Sequence, residues 1–214
     1  MWNTLEFFIN VEKNNIVYID TKVEMKDEIR VLGIDDSPFE FNDKFSDIIG
    51  VIMRGGEYIE CILKSSVDVD GKNSTDVCID MIKNTKHNLQ LKAILIDGVA
   101  LGGFNIIDIE ELYKSTNIPV ITITRDQPNF DNIENALRKH FTDWEKRLNL
   151  IKRGEIHKIK TAHNPIFIKY VGITLAEAKE IIKISTIRGV IPEPIRVAHL
   201  IASGIKRGES YGKA

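Results

Sequence analysis

Three apolar runs in this sequence finish on carboxylates. EIRVLGID (28–35) ends on Asp35 with Asp36 behind it, EYIECILKSSVDVD (57–70) carries Asp68 and Asp70 at its close, and KAILID (92–97) ends on Asp97 before Gly98. Short apolar runs bounded by turn residues read as strands, and those apolar throughout read as strands covered on both faces. Taken singly, each acid can cap a turn by bonding its own backbone. Brought to one place, the acids repel one another and hold each other's pKa up unless a cation neutralises them. Hard oxygen donors of this kind suit Mg²⁺ or Mn²⁺. An ion so held can activate water and stabilise a leaving oxyanion, so the chemistry implied is attack of water on a phosphate ester.

The elements that must position these acids follow from periodicity. Segments 28–35, 47–54, 57–70, 92–97 and 118–124 read as strands, and Gly55-Gly56 joins the second to the third as a hairpin. TDVCIDMIKN has helical spacing at Val77, Cys78, Met81 and Ile82, with Thr75 as the expected N-cap. A helix-linked fourth strand runs most simply parallel to the third, so strands one, three and four end at one edge. Asp108 to Glu111 reads as a capping box before the fifth strand. FDNIENALRKHF then lines up Phe130, Ile133, Leu137, His140 and Phe141, and Thr142 to Glu145 caps a further helix. FIKYVGI (167–173) reads as an edge strand, and Thr174 to Glu177 as a capping box opening a helix that stops near Gly189. The last helix has Pro194 in its first turn and a buried stripe of Ile195, Ala198, Ala202 and Ile205. Arg196 and His199, three apart, share a helix face and can both reach a phosphate or a bound water; a surface Arg beside a structural His is the plainer alternative. The whole is an α/β domain with a mixed five-stranded sheet and flanking helices, the pattern of the ribonuclease-H-like architecture.

IRVLGIDDSPF, VDVDGKNSTD, LKAILIDGVALGGFNIIDIEELYKSTNIPVITITR and GVIPEPIRVAHLIASGIKRGES together resemble the archaeal endonuclease dU family over roughly residues 28–212. More distantly the same segments are similar to endonuclease V, through Gly33-Ile34-Asp35, Ile96-Asp97-Gly98, Ile118-Pro119 and the run Pro192 to His199. The resemblance implies a Mg²⁺- or Mn²⁺-dependent endonuclease nicking DNA at deaminated bases, deoxyuridine first, leaving a 3′-hydroxyl and a 5′-phosphate. It makes Asp35 and Asp97 metal ligands, and Asp70 the nearest candidate where endonuclease V supplies a Glu; Asp76 would lie inside the helix. Asp35, Asp70, Asp97 and His199 are thereby the candidate catalytic set. The Pro-Tyr-Ile-Pro wedge of endonuclease V has no counterpart in RGGEYIE, where Tyr58 stands alone, and its His-Pro-Arg is replaced by Leu101 to Asn105. Gly102, Gly103, Phe104 and Asn105 follow the fourth strand closely enough to form a pocket for an extruded base, loop packing being the alternative. Arg125, where endonuclease V has a Lys, and Arg196 are candidate phosphate contacts.

Composition bounds the partners. The 214 residues suit one domain, expected over 25–214, after an N-terminal extension of residues 1–24 that can form a hairpin around Asn14-Asn15. A formal charge of -2, from 29 basic and 31 acidic residues, gives no global pull toward nucleic acid or an anionic membrane, so DNA must meet a local patch. Residues 138–160, with Arg138, Lys139, Lys146, Arg147, Lys152, Arg153, Lys158 and Lys160, are the richest in cations. Cys61 and Cys78 lack metal-type spacing and read as reduced, buried thiols. No run approaches a membrane span, and MWNTLEFFIN lacks a basic start, so a cytoplasmic protein, with DNA-repair proteins as possible partners, is expected. A non-cleaving nucleic-acid binder or repair scaffold, and an endonuclease acting on RNA at inosine, are the alternatives.

Overall fold

The computed structural model describes residue 25, residues 28–40 and residues 42–210; the expected N-terminal extension and its hairpin lie outside the described residues. In chain order the elements are β1 (Arg30–Asp36), β2 (Phe45–Arg54), β3 (Tyr58–Asp68), α1 (Ser74–Asn84), β4 (Leu91–Asp97), β5 (Ala100–Leu101), β6 (Asn105–Ile106), α2 (Ile109–Thr116), β7 (Val120–Thr124), α3 (Phe130–His140), α4 (Trp144–Lys152), β8 (His157–Ile159), β9 (Ile166–Val171), α5 (Leu175–Ser185) and α6 (Glu193–Arg207). The main sheet has seven strands rather than five, in the order β3-β2-β1-β4-β7-β9-β8, and β5 and β6 form a separate small hairpin. β1, β4 and β7 are parallel neighbours, while β2 and β9 run against them. The expected edge strand is therefore interior, because three-residue β8 pairs along β9 and takes the edge. The architecture is ribonuclease-H-like and α/β.

Both faces of the sheet are covered, which explains the unbroken apolar runs of β1 and β4. On one face Leu32, Ile34, Ile94 and Ile96 pack with Cys78, Met81 and Ile82 of α1 and with Leu112 of α2. On the other, Val31, Ala93, Leu95, Ile121 and Ile123 pack with Ala178, Ile181 and Ile182 of α5 and with Ile195. Cys78 is fully buried and Cys61 half-buried, both as free thiols.

Several local expectations shift. Asn73, not Thr75, stands at the N-cap of α1, and Thr75 instead accepts the Asp108 N–H through Oγ1 at 2.9 Å. Asp108 caps α2 by accepting from Glu110 and Glu111. Asp143 rather than Thr142 precedes α4, and α5 ends at Ser185, short of Gly189. The Thr174–Glu177 capping box is present as expected. His140 is exposed, outside the cluster formed by Phe130, Ile133, Leu137 and Phe141.

The packing of α6 on the sheet decides where the site lies. Ala198 and Ala202 are fully buried against Ile49, Val51 and Met53 of β2, small side chains that let the helix lie close. Ile205 is 55 % exposed and fully buried Ser203 takes its place on the inner stripe. At the start of α6 the backbone of Pro194 rests directly on Gly33 of β1, where a Cβ would come within 2.2 Å of the Pro194 carbonyl carbon. Only glycine permits that approach. Replacing Gly33 by Ala should therefore displace the helix start and lower stability by about 1–3 kcal/mol, the usual cost of overpacking. A urea melt with an unchanged midpoint would show that the contact constrains nothing.

Candidate functional site

Side chains alternate along a strand, so Gly33 and Asp35 face the same way, toward α6. Five residues beyond Pro194, α6 carries His199 to Asp35, with Nδ1 2.8 Å from Oδ2. An ionised carboxylate only accepts, so Nδ1–H donates, while Nε2 is buried. The other oxygen of Asp35, Oδ1, accepts from the Asp36 N–H at 2.8 Å. Asp35 is only 5 % exposed, held by helix and strand together.

The parallel register places Ile34 beside Ile96, so Asp35 and Asp97 end neighbouring strands one spacing apart, about 4.8 Å. Both face α6. Burial pushes the Asp97 carboxyl up to about 6, and the charge of Asp35 adds to the effect, against the countervailing charges of Arg125 and His199. Asp36, next along β1, is pushed up to about 7, first by burial and then by Asp35, with a smaller contribution from Asp97. Its Oδ2 accepts the Gly102 N–H at 2.9 Å, which opposes the rise. Asp36 was legible in the sequence only as half of an Asp-Asp pair. Its side chain points to the opposite face from Asp35, toward Gly102, and couples to the pair only through charge.

Asp70 does not join them. β2 separates β3 from β1, which puts the end of β3 about 10 Å away across the sheet. Asp70 is exposed with a left-handed φ of 56°, and its Oδ1 accepts the Phe104 N–H at 2.8 Å. It pins the turn between β5 and β6, whose Gly103 would put a Cβ 2.4 Å from that same oxygen. Asp68 and Asp76 are exposed, Asp68 on β3 and Asp76 in the first turn of α1.

The turn itself is packed rather than open. Asn105 is fully buried: its Oδ1 accepts from Ser74 N at 3.0 Å, while Nδ2 donates to Asp68 O at 2.9 Å and Asn73 Oδ1 at 2.7 Å. Its amide is committed to joining β3, α1 and β6, which removes it as a reader of a base. Phe104 stacks edge-on against Phe141 with centroids 5.7 Å apart. Gly102 is buried, with a Cβ position 3.0 Å from Val67. Arg125 follows β7, close enough to lower the pKa of Asp97. Arg196 is engaged by Glu193 Oε2 at 2.6 Å within α6, so its shared face with His199 does not make it a free phosphate contact. Tyr58 lies opposite Arg54, at the Arg30 end of the sheet and away from Asp35.

Half of the cations in the basic stretch 138–160 are committed, while Lys139 and Lys146 are exposed. Arg138 pairs with Glu134 and lies over Trp144, Lys152 also reaches Glu134, and Arg153 bonds Asp108. Arg147 is buried, bonding Asp143 and the carbonyls of Gly71 and Phe104. Lys158 and Lys160 are the exposed cations at its far end.

Among the described residues no three His, Cys, Asp or Glu side chains converge to enclose an ion. Asp35 and Asp97 form instead an open pair of hard oxygen donors crowded enough to raise Asp97. Mg²⁺ is commonly held in this way, through one or two carboxylates, with waters and a substrate phosphate completing the shell. The donor set fits a divalent cation.

The Endonuclease dU family profile matches residues 27–206. A UPF0215 protein of Methanosarcina mazei is 49% identical over 199 residues, covering 92% of this chain and 100% of that one. A crystal structure of a protein of unknown function from Archaeoglobus fulgidus DSM 4304 superposes with a TM-score of 0.75 at 38% identity, over 83% of this chain and 98% of the other. Ciona intestinalis endonuclease V, in complex with a 24mer DNA containing an inosine followed by a ribo-adenosine, superposes with a TM-score of 0.52 at 18% identity. That likeness spans 79% of this chain and 82% of the other, and it is a likeness of fold.

The crowding has a measurable cost in the metal-free protein. With its folded pKa near 6 against a usual 3.8, Asp97 destabilises the fold above pH 6, and the penalty fades as pH falls through 6 and the carboxyl protonates. Asp97→Asn should therefore raise the stability of metal-free protein at pH 8 by about 1–3 kcal/mol, an advantage that shrinks toward pH 4. Thermal melts across that range check it; a destabilised variant at pH 8 would mean that Asp97 supports the fold.

Proposed function

Because the chain belongs to the endonuclease dU family, we propose that it is a metal-dependent endonuclease that nicks DNA at deaminated bases, deoxyuridine foremost. The observation that carries this reading is the Asp35–Asp97 pair on adjacent parallel strands with His199 bonded to Asp35. Asp35 and Asp97 would hold the cation, Mg²⁺ or Mn²⁺, with Asp36 adding charge from the neighbouring position on β1. When bound, the cation activates water and stabilises the leaving oxygen of the phosphodiester.

The chain's own groups do the rest. His199 fixes the Asp35 carboxylate through Nδ1, and with Nε2 buried it acts by positioning that carboxylate. Arg125, beside Asp97, offers a cation to a phosphate oxygen. Asp70 acts at one remove by fixing the Gly102–Gly103 turn against Asp36. Cleavage leaves a 3′-hydroxyl and a 5′-phosphate. The endonuclease V complex with inosine-containing DNA supports nucleic acid as the substrate class and makes hypoxanthine the natural competitor of uracil.

Incubation with Mg²⁺ or Mn²⁺ and labelled oligonucleotides bearing uracil, hypoxanthine or no lesion should give nicking at uracil that stops in EDTA. An RNA strand with inosine is the control for the other substrate. No cutting of any of these with either metal, while binding persists, would leave a binder rather than a nuclease. On the same substrate His199→Ala should lower the rate at least ~10-fold, within the range for a group that orients a metal ligand, with an unchanged melting temperature. A lower melting temperature with a full rate per folded molecule would make His199 structural.

A further inference from the structure

A basin of about 910 Å³ opens between α5, the turn that follows it and the β8–β9 end of the sheet. Its rim carries Lys158, Lys160, Lys179, Lys183 and Arg188, all exposed, and neither aspartate nor glutamate lines it. Among the described residues Lys183 alone of the five is in an ion pair, with Glu180 at 3.1 Å. The floor is apolar, with buried Ile159 and Ile182 beside Val190. In a chain of formal charge -2, such a concentration of cations is a local field opposed in sign to the whole.

The side chains specify what the basin reads. No Phe, Tyr or Trp lines it, and His163 is the one ring at its edge, so cations outnumber stacking surfaces. Lysines on flexible stems are point charges suited to phosphate oxygens, which position nucleic acid without reading its sequence. β8 runs parallel to β1, so Lys160 leaves the sheet at the same edge as Asp35. The other wall, the turn after α5, reaches the opposite edge, where Ile187 meets Gly56 of the β2–β3 hairpin, so the basin runs across the flank of the sheet.

We propose that this basin binds the sugar–phosphate backbone of duplex DNA to one side of the cut, independently of sequence and lesion. The place of the cut rests on the nuclease reading; the binding does not. The test is a variant with Lys158, Lys160, Lys179 and Arg188 all changed to Gln, titrated in EDTA against a long lesion-free duplex by fluorescence anisotropy.

Affinity at low salt should fall at least ~10-fold, and the log–log salt slope should become shallower by about 3–4, the contribution of that many phosphate contacts. In the presence of metal, a short uracil duplex that ends before the basin should be nicked equally by variant and wild type. Unchanged affinity and slope would overturn the proposal, as would an equal loss on the short duplex. Binding to phosphatidylglycerol vesicles that the variant abolishes, with DNA binding intact, would assign the basin to a membrane surface and also overturn it. Basin-dependent DNA binding without nicking at any lesion would sustain the basin and defeat the nuclease reading alone.

Discussion

The contact of the Pro194 backbone with Gly33 is the constraint on which the site depends. A helix packs on a sheet at a distance set by the side chains between them, and here that distance falls locally to backbone on backbone. Because strand side chains alternate, the residue two beyond Gly33 faces the same helix, and it is Asp35. α6 continues over it with Ala198 inward and His199 above the carboxylate. The Gly-hydrophobic-Asp sequence thus has a mechanical reading: the glycine admits the helix, the hydrophobic residue anchors the opposite face, and the acid receives the histidine. The prolines at 192 and 194 fix the direction from which the chain arrives.

Around that contact the electrostatics are arranged against the empty fold. Two carboxylates meet at the ends of two adjacent strands with Asp36 close by on the other face, and burial raises Asp97 and Asp36 well above the ordinary range. A structure selected only for stability would not hold this arrangement, since buried like charges cost free energy that packing elsewhere must offset. The acids make sense together with a cation, which reverses the sign of their mutual influence. The cations elsewhere divide into two kinds. Arg147, Arg153 and Arg196 are bound into local networks that shape turns and helix starts. Lys158 and Lys160 at the β8–β9 end are exposed and in no ion pair among the described residues.

Much of this was legible in the residues. The Gly55-Gly56 hairpin and the helix between β3 and β4 fix the directions of the strands, so it followed that β1, β3 and β4 finish at one edge. The order of the strands does not follow. A crossover from β3 can return on either side of β1, and nothing local in KAILID says that it passes over two strands to settle beside β1. That ambiguity is why Asp70 looked like a ligand, with the role of Asp36 left open. Asn105 after a glycine pair has the composition of a ligand-reading loop, but its amide serves three backbone and side-chain partners that are remote in sequence. β8 is three residues long, too short for alternation to register, and its presence moves β9 from the edge to the interior. Ile205 fits the helical period of α6 yet lies beyond the sheet that would bury it.

The central claim is that Asp35 and Asp97 form one metal site held in place by His199. Crystals soaked in Mn²⁺ and measured at the manganese absorption edge test it most directly. The account requires an anomalous peak between the Asp35 and Asp97 carboxylates, with His199 still bonded to Asp35. A peak at Asp68 and Asp70 instead, or none between Asp35 and Asp97 at saturating Mn²⁺, would contradict it.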